Sequence, residues 1–230
     1  MAQVKDLVTE VGRKLANRTD IDAAPFWIRD AVLELTESMM FEELKVIGPD
    51  KILTTNEPRY LLKDFIQGNN ELTKVVAFII YIDYPTNSLT KILKFRETMA
   101  ILPMTRTAGL PSYWTRHGEY IYLASKPNQT YTVQMLYQLK HPFDSSSLDA
   151  LKQQTILMPD SWLEVAVLAA AERGATELRM PDYVSLYHNI LYGDPKAPDE
   201  IGLIAGRKLQ HQRDKGLNEQ QMQPIVRRYC

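Results

Sequence analysis

Apolar positions recur at helical spacing at the start of the chain, alternate like strands in the middle, and return to helical spacing in the last third. Val4, Leu7, Val8, Val11 and Leu15 form one stripe of a first helix that ends near Asn17. Thr19 to Asp22 then offers a start like a capping box, and Pro25 is tolerated in the first turn of a second helix. Ile28, Val32, Leu35 and Met39 carry the stripe of that helix, broadened by Trp27 and Ala31. The two make a helical hairpin.

From about Glu43 the period changes. ELKVI, GPDK and ILTT predict a β-hairpin closed by a Gly-Pro-Asp turn, and RYLLKDFI adds a short strand. Val75 to Asp83 is β-branched and aromatic throughout, which predicts a strand buried on both faces. Ile92 to Arg96 reads as another strand and Glu97 to Leu102 as a single helical turn. In LPSYWTRHGEYIYL (110–123), Tyr113 to Thr115 is strand-like, Gly118 turns the chain, and Tyr120 to Leu123 returns. Residues 130–139 alternate: Tyr131, Val133, Met135 and Tyr137 share one face. Thr132, Gln134, Leu136 and Gln138 share a more polar, partly wet one.

After HPFDSSS the helical period returns. Ser161 and Glu164 form an S-x-x-E capping box opening SWLEVAVLAAAERGATEL, a helix apolar nearly all round and therefore the most buried. Asp182 caps DYVSLYHNILY, with Val184, Leu186, Tyr187, Ile190 and Leu191 facing inward. Gly193, Pro195 and Pro198 break it, and a third helix runs from Asp199 to about Lys215, with Gly216 as its C-cap. The tripeptide MPD occurs at 158–160 and 180–182, which reflects shared helix-entry chemistry, since nothing downstream repeats. LNEQQMQPIVRRYC is too polar to fold alone and reads as an extended tail.

The expected fold class is α+β. A helical bundle is built from the N-terminal hairpin (1–42) and C-terminal helices (146–216). A small antiparallel β lobe (43–145) is inserted, and an extended C-terminal tail (217–230) follows.

The net charge of −1 gives no general attraction to nucleic acid or to an anionic membrane. It is unevenly placed, however. Residues 207–230 hold six Lys/Arg against Asp214 and Glu219, a balance of +4, which leaves −5 on the first 206 residues. A basic tail on an acidic body suits a partner-binding arm. Cys230 is the only cysteine, so no internal disulfide forms, as in a reducing compartment or a structure held by assembly. MAQVKDLVTEVGRK lacks the apolar core of a signal peptide, and VVAFIIYI (75–82) is too short to span a bilayer.

No phosphate-binding, dinucleotide, nucleophile-elbow or zincin motif is present. His117, His141, His188 and His211 have no ligand spacing, and the carboxylate pairs Glu42–Glu43 and Asp199–Glu200 sit at element edges. No catalytic, cofactor-binding or metal residues are assigned, and the expectation is a protein without enzymatic activity or cofactor. Tyr113, Trp114, Tyr120 and Tyr122 have the composition of a stacking platform. The alternation around Gly118 and the sparse basic neighbours (Arg106, Arg116 and Lys126) instead assign them to the structural core of the β lobe.

In order of elements the chain resembles the head-to-tail adaptor (head completion or connector) proteins of tailed bacteriophages. The resemblance is carried by DxxxFWIRDAVLEL in the hairpin, GLPSYWTRHGEYIYLASKP and TYTVQMLY mid-chain, and LMPDSWLEVAVLAAAE with DYVSLY in the last third, covering most of residues 5–192. It implies a non-enzymatic virion protein of the neck, made in the host cytoplasm, in a ring of about twelve copies that joins portal to tail. DNA passes through such a ring without sequence-specific binding, and C-terminal segments grip the portal. On this chain Pro224, Ile225, Val226 and Tyr229 would be anchors of the arm, with Arg227 and Arg228 supplying charge-assisted contacts. Some adaptors are nearly all-helical; the β insertion here is as in the larger podovirus-like types. The lobe would then meet the next subunit or a nozzle or tail protein. The alternatives are a carbohydrate- or single-strand-binding module using the β-lobe aromatics, or another phage neck or tail-completion protein.

Overall fold

The computed structural model of the chain describes residues 2–18, 21–68, 71–82, 89–144, 146–195, 197 and 201–210. The chain divides into two compact units, Met1–Leu35 with Phe143–Cys230, and Thr36–Pro142.

The first unit is helical. α1 (Val4–Lys14) buries the predicted stripe of Val4, Leu7 and Val11, and Asp6 accepts from the Gln3 N–H at 2.9 Å to cap its start. α2 spans Ala24–Ser38 with Pro25 in its first turn; the capping box expected at Thr19 lies outside the described residues. A short α4 (Leu148–Gln153), which sequence patterning does not single out, is capped by the Ser147 hydroxyl accepting from the Ala150 N–H. The segment after it forms a bridge between Thr155 and Gln3 that ties down the start of α1.

α5 (Asp160–Glu177) is the central helix and buries Trp162, Val165, Leu168, Ala171 and Gly174 along with their neighbours. Its start differs from expectation. Pro159 occupies the N-cap and no side chain caps the helix, so Ser161 and Glu164 do not form a capping box. Likewise Pro181, at the first turn of α6 (Pro181–Tyr192), sets its entry, and Asp182 makes no capping bond. α5 ends with Arg179 in the left-handed region (φ 56°), where the Arg179 and Met180 N–H groups bond back to Thr176 and Ala175. Close approach defines the packing of α2 on α5. A Cβ at Gly174 would lie 2.5 Å from the Trp27 ring, whose Nε1 donates to Glu177 at 2.5 Å. On α6, Tyr187 and Leu191 are buried, while Leu186 and Ile190 are exposed, so only part of the expected inward stripe faces inward. Residues 203–210 are helical.

The second unit corrects the expected architecture. Its strands are β1 (Lys45–Ile47), β2 (Lys51–Leu53), β3 (Arg59–Leu61), β4 (Leu72–Tyr81), β5 (Thr90–Phe95), β6 (Tyr113–His117), β7 (Tyr120–Leu123) and β8 (Tyr131–Leu139). They form one eight-stranded sheet in the order β1-β8-β4-β5-β6-β7-β3, with β2 also on β8. The fold is therefore mixed α/β with a large curled sheet, not a helical bundle carrying a small β lobe. A short α3 (Thr98–Ile101) follows β5.

Two causes lie behind the difference. First, β1 and β2 do not pair as a hairpin. Both lie along β8, with Ile47 opposite Leu136 and Lys51 opposite Val133, a one-residue shift across Gly48-Pro49-Asp50. Pro49 has no ladder donor, and a Cβ at Gly48 would meet the Phe65 carbonyl oxygen at 2.1 Å. Second, β5 pairs antiparallel with β4 and then parallel with β6 (Phe95 opposite Trp114), joining what patterning reads as separate hairpins.

The inner faces of both halves enclose a single core that includes Leu53, Tyr60, Phe65, Phe78, Ile80, Trp114, Ile121, Met135 and Tyr137. One cluster can collect side chains from strands at both ends of the sheet order only if the sheet curls. Edge-to-face rings run through it, Phe65–Phe78 at 5.2 Å, Phe78–Trp114 at 4.9 Å and Trp114–Phe95 at 5.1 Å. β4 is not buried on both faces: Phe78 and Ile80 are fully buried, while Ile79 and Tyr81 are half-buried.

Gly174→Ala should cost about 2 kcal/mol in urea unfolding, because the Trp27 ring fills the space the methyl needs. A second expectation concerns His141, which is buried just after β8 and whose imidazole burial pushes down to about 4. With the folded value below the unfolded 6.5, this contribution is fully present above pH 6.5 and is lost as pH falls toward 4. The total is about 3 kcal/mol. Comparing pH–stability curves of the wild type and His141→Leu should show a steeper acid loss in the wild type.

Candidate assembly surfaces

Strand register arranges the outer face of the sheet in rows. Ile52, Thr132, Tyr81 and Thr90 form one, and Gln134, Ile79 and Ile92 the next. Ile47, Leu136 and Ala77 follow, then Lys45, Gln138 and Lys74. The last row is covered by the chain itself. Gln138 is fully buried, and its side chain donates to the Thr36 and Met39 carbonyls (2.7 and 3.0 Å) and accepts from the Phe41 N–H (2.8 Å). The second β8 face is thus not uniformly wet, since segment 36–41 lies on one end of it.

The other rows are open. Ile47, Ile52 and Ile92 are 54%, 62% and 64% exposed. Gln134 anchors the polar strip between them, accepting from the Tyr81 hydroxyl at 2.5 Å and donating to Asp50 at 2.7 Å. Three exposed isoleucines on one sheet face, with half-buried Ile79 and Leu136 beside them, form an apolar surface of the kind that marks an interaction site. In the helical unit, Leu186 and Ile190 are exposed one turn apart on α6, with Tyr192 beyond them. His188 between them contacts Glu172 at 2.8 Å and the Tyr192 ring at 4.7 Å.

The aromatic stretch divides by residue. Trp114 is 4% exposed, between Phe78 and Phe95. Tyr113 is half-buried with the Arg96 guanidinium 4.0 Å from its ring centre. Tyr120 is 36% exposed beneath Arg59 at 4.9 Å and tilted against half-buried Tyr122 at 6.5 Å. Cations thus stack on two of the four rings. Pro224, Ile225, Val226, Arg227, Arg228 and Tyr229 lie outside the described residues.

Among the described residues, no group of three or more His, Cys, Asp or Glu could hold a metal ion, and no helix is long and apolar enough to cross a membrane. Sequence patterning missed the open sheet face, although it held a signal: β4 is apolar on both faces, and the chain covers only one of them.

No curated protein matches the chain. The family model described as SU10 adaptor protein matches residues 2–213, which takes in all the described helices and strands. The chain belongs to the SU10 adaptor protein family, a family of phage head-to-tail adaptors: structural proteins of the virion neck that work with portal and tail proteins.

Proposed function

We propose that copies of this protein close into a ring between portal and tail, on the order of twelve copies, through which DNA passes without sequence-specific contacts. The observation that carries this reading is the uncovered outer face of the sheet, where Ile47, Ile52 and Ile92 stand exposed. A non-enzymatic adaptor in a closed ring needs an apolar surface that a neighbouring copy covers. The C-terminal arm, residues 217–230, grips the portal, with Pro224, Ile225, Val226 and Tyr229 as anchors and Arg227 and Arg228 as charge-assisted contacts. The stacking-module alternative has less support, because Trp114 is enclosed by its own core and Arg59 and Arg96 stack on Tyr120 and Tyr113.

Two variants separate the parts of this reading. Ile52→Lys combined with Ile92→Lys should leave the thermal midpoint of the monomer unchanged while lowering the assembled fraction at least tenfold by native mass. An unchanged assembled fraction would show that the face does not lie between copies. Deletion of 217–230 should leave a folded protein that no longer joins the portal. Portal binding equal to that of the intact chain would remove the arm from the account.

A further inference from the structure

β4 is paired on one side along its length and on the other side for only part of it. β8 runs beside it from Leu72 to Tyr81. β5 pairs with it only from Phe78 to Tyr81 and then turns to β6 through Lys94 and Phe95. Leu72–Ala77 therefore has no described strand on its β5 side, an open edge of about 20 Å at strand rise. A cleft of about 630 Å³ lies along that edge, lined by Val75, Val76, Met40, Phe95 and Trp114 among others.

Bulges shape the opening. The β4–β8 register shifts between Leu72 and Lys74 and again between Val75 and Ala77, so Thr73 and Val76 are the extra residues. Both line the cleft. The Thr73 hydroxyl oxygen is buried there with no hydrogen-bond partner among the described residues. Arg116 lines the mouth, its Nε donating to the Gly118 carbonyl at 3.1 Å, and the cleft is continued by a hollow lined by Lys63, Arg116 and Glu119. Beside Arg116 these linings hold Lys63 against one carboxylate, Glu119.

An open strand edge, an apolar floor and a basic mouth are the requirements for strand addition by a peptide. We propose that this cleft receives an extended segment of a partner protein, apolar at alternate positions and acidic at its end, which adds to β4 as a new strand. Its backbone pairs with the open edge of 72–77, one of its groups bonds the Thr73 hydroxyl, and its acidic end meets Arg116. This slot is separate from the outer-face rows and does not depend on ring closure.

The test uses the intact chain and a short synthetic peptide of alternating valine and threonine with glutamate at each end. Amide hydrogen exchange across residues 72–77 should slow when the peptide is present at about 1 mM. The same peptide ended with lysines should bind about tenfold more weakly, and Arg116→Glu, a change at an exposed side chain, should reverse that order. Unchanged exchange at 72–77 would overturn the proposal, as would equal binding by a backbone N-methylated peptide, which cannot pair with a strand edge. An unreversed charge preference in Arg116→Glu would remove the acidic end from it. Native mass of the same samples reports ring assembly independently, so failure of the slot and failure of the adaptor ring are told apart.

Discussion

The side chain of Gln138 makes three hydrogen bonds in a fully buried position, and the layout of the sheet unit follows from them. Its amide nitrogen donates to the Thr36 and Met39 carbonyls, and its oxygen accepts from the Phe41 N–H. The Thr36 carbonyl is in the last turn of α2, where a helix leaves acceptors without internal partners. A single β8 residue thus satisfies the backbone where the chain leaves a helix and becomes β1. With segment 36–41 held there, β1 can lie only along β8, as Lys45 opposite Gln138 shows. Leaving any of these groups buried and unpaired costs about 1–3 kcal/mol each.

From that anchor the rest of the sheet is positioned. β1 and β2 take one edge of β8 and β4 takes the other, and β5 carries the order onward to β6, β7 and β3. Curling brings the inner faces onto one aromatic core and leaves the outer rows to solvent. The same segment that Gln138 fixes covers only the row of Lys45, Gln138 and Lys74. A protein of a structural adaptor family has use for the remainder, because its surfaces exist to meet other proteins.

Much of this was legible in the sequence, and the losses have physical reasons. The helical stripe of α1, the nearly all-round apolar character of α5 and the alternation of β8 read directly, since 3.6- and 2-residue periods report which face is covered. The buried face of Tyr131, Val133, Met135 and Tyr137 came out as expected. What failed was pairing. Gly-Pro-Asp looks like a hairpin turn, yet here it is a bulge in a chain that continues along β8, a choice made by the distant Gln138 and Phe65. The capping box at Ser161 lost to Pro159, whose extended backbone already sets the helix start. The candidate surfaces were hidden because an apolar run such as VVAFIIYI reports that a face is to be covered and not by which chain. Ile92 and Ile52, each beside a leucine that turns to the core (Leu93 and Leu53), gave no pattern of their own and gain meaning only from register.

Urea unfolding of Gln138→Leu tests the anchor most directly. The substitution keeps the volume and removes all three bonds, leaving the Phe41 N–H and the Thr36 and Met39 carbonyls without this partner. The expected loss is about 3 kcal/mol or more, with slower association into assemblies because the outer rows lose their fixed register. A loss within about 0.5 kcal/mol of zero would contradict the account, since it would mean that segment 36–41 and β8 hold their places without Gln138.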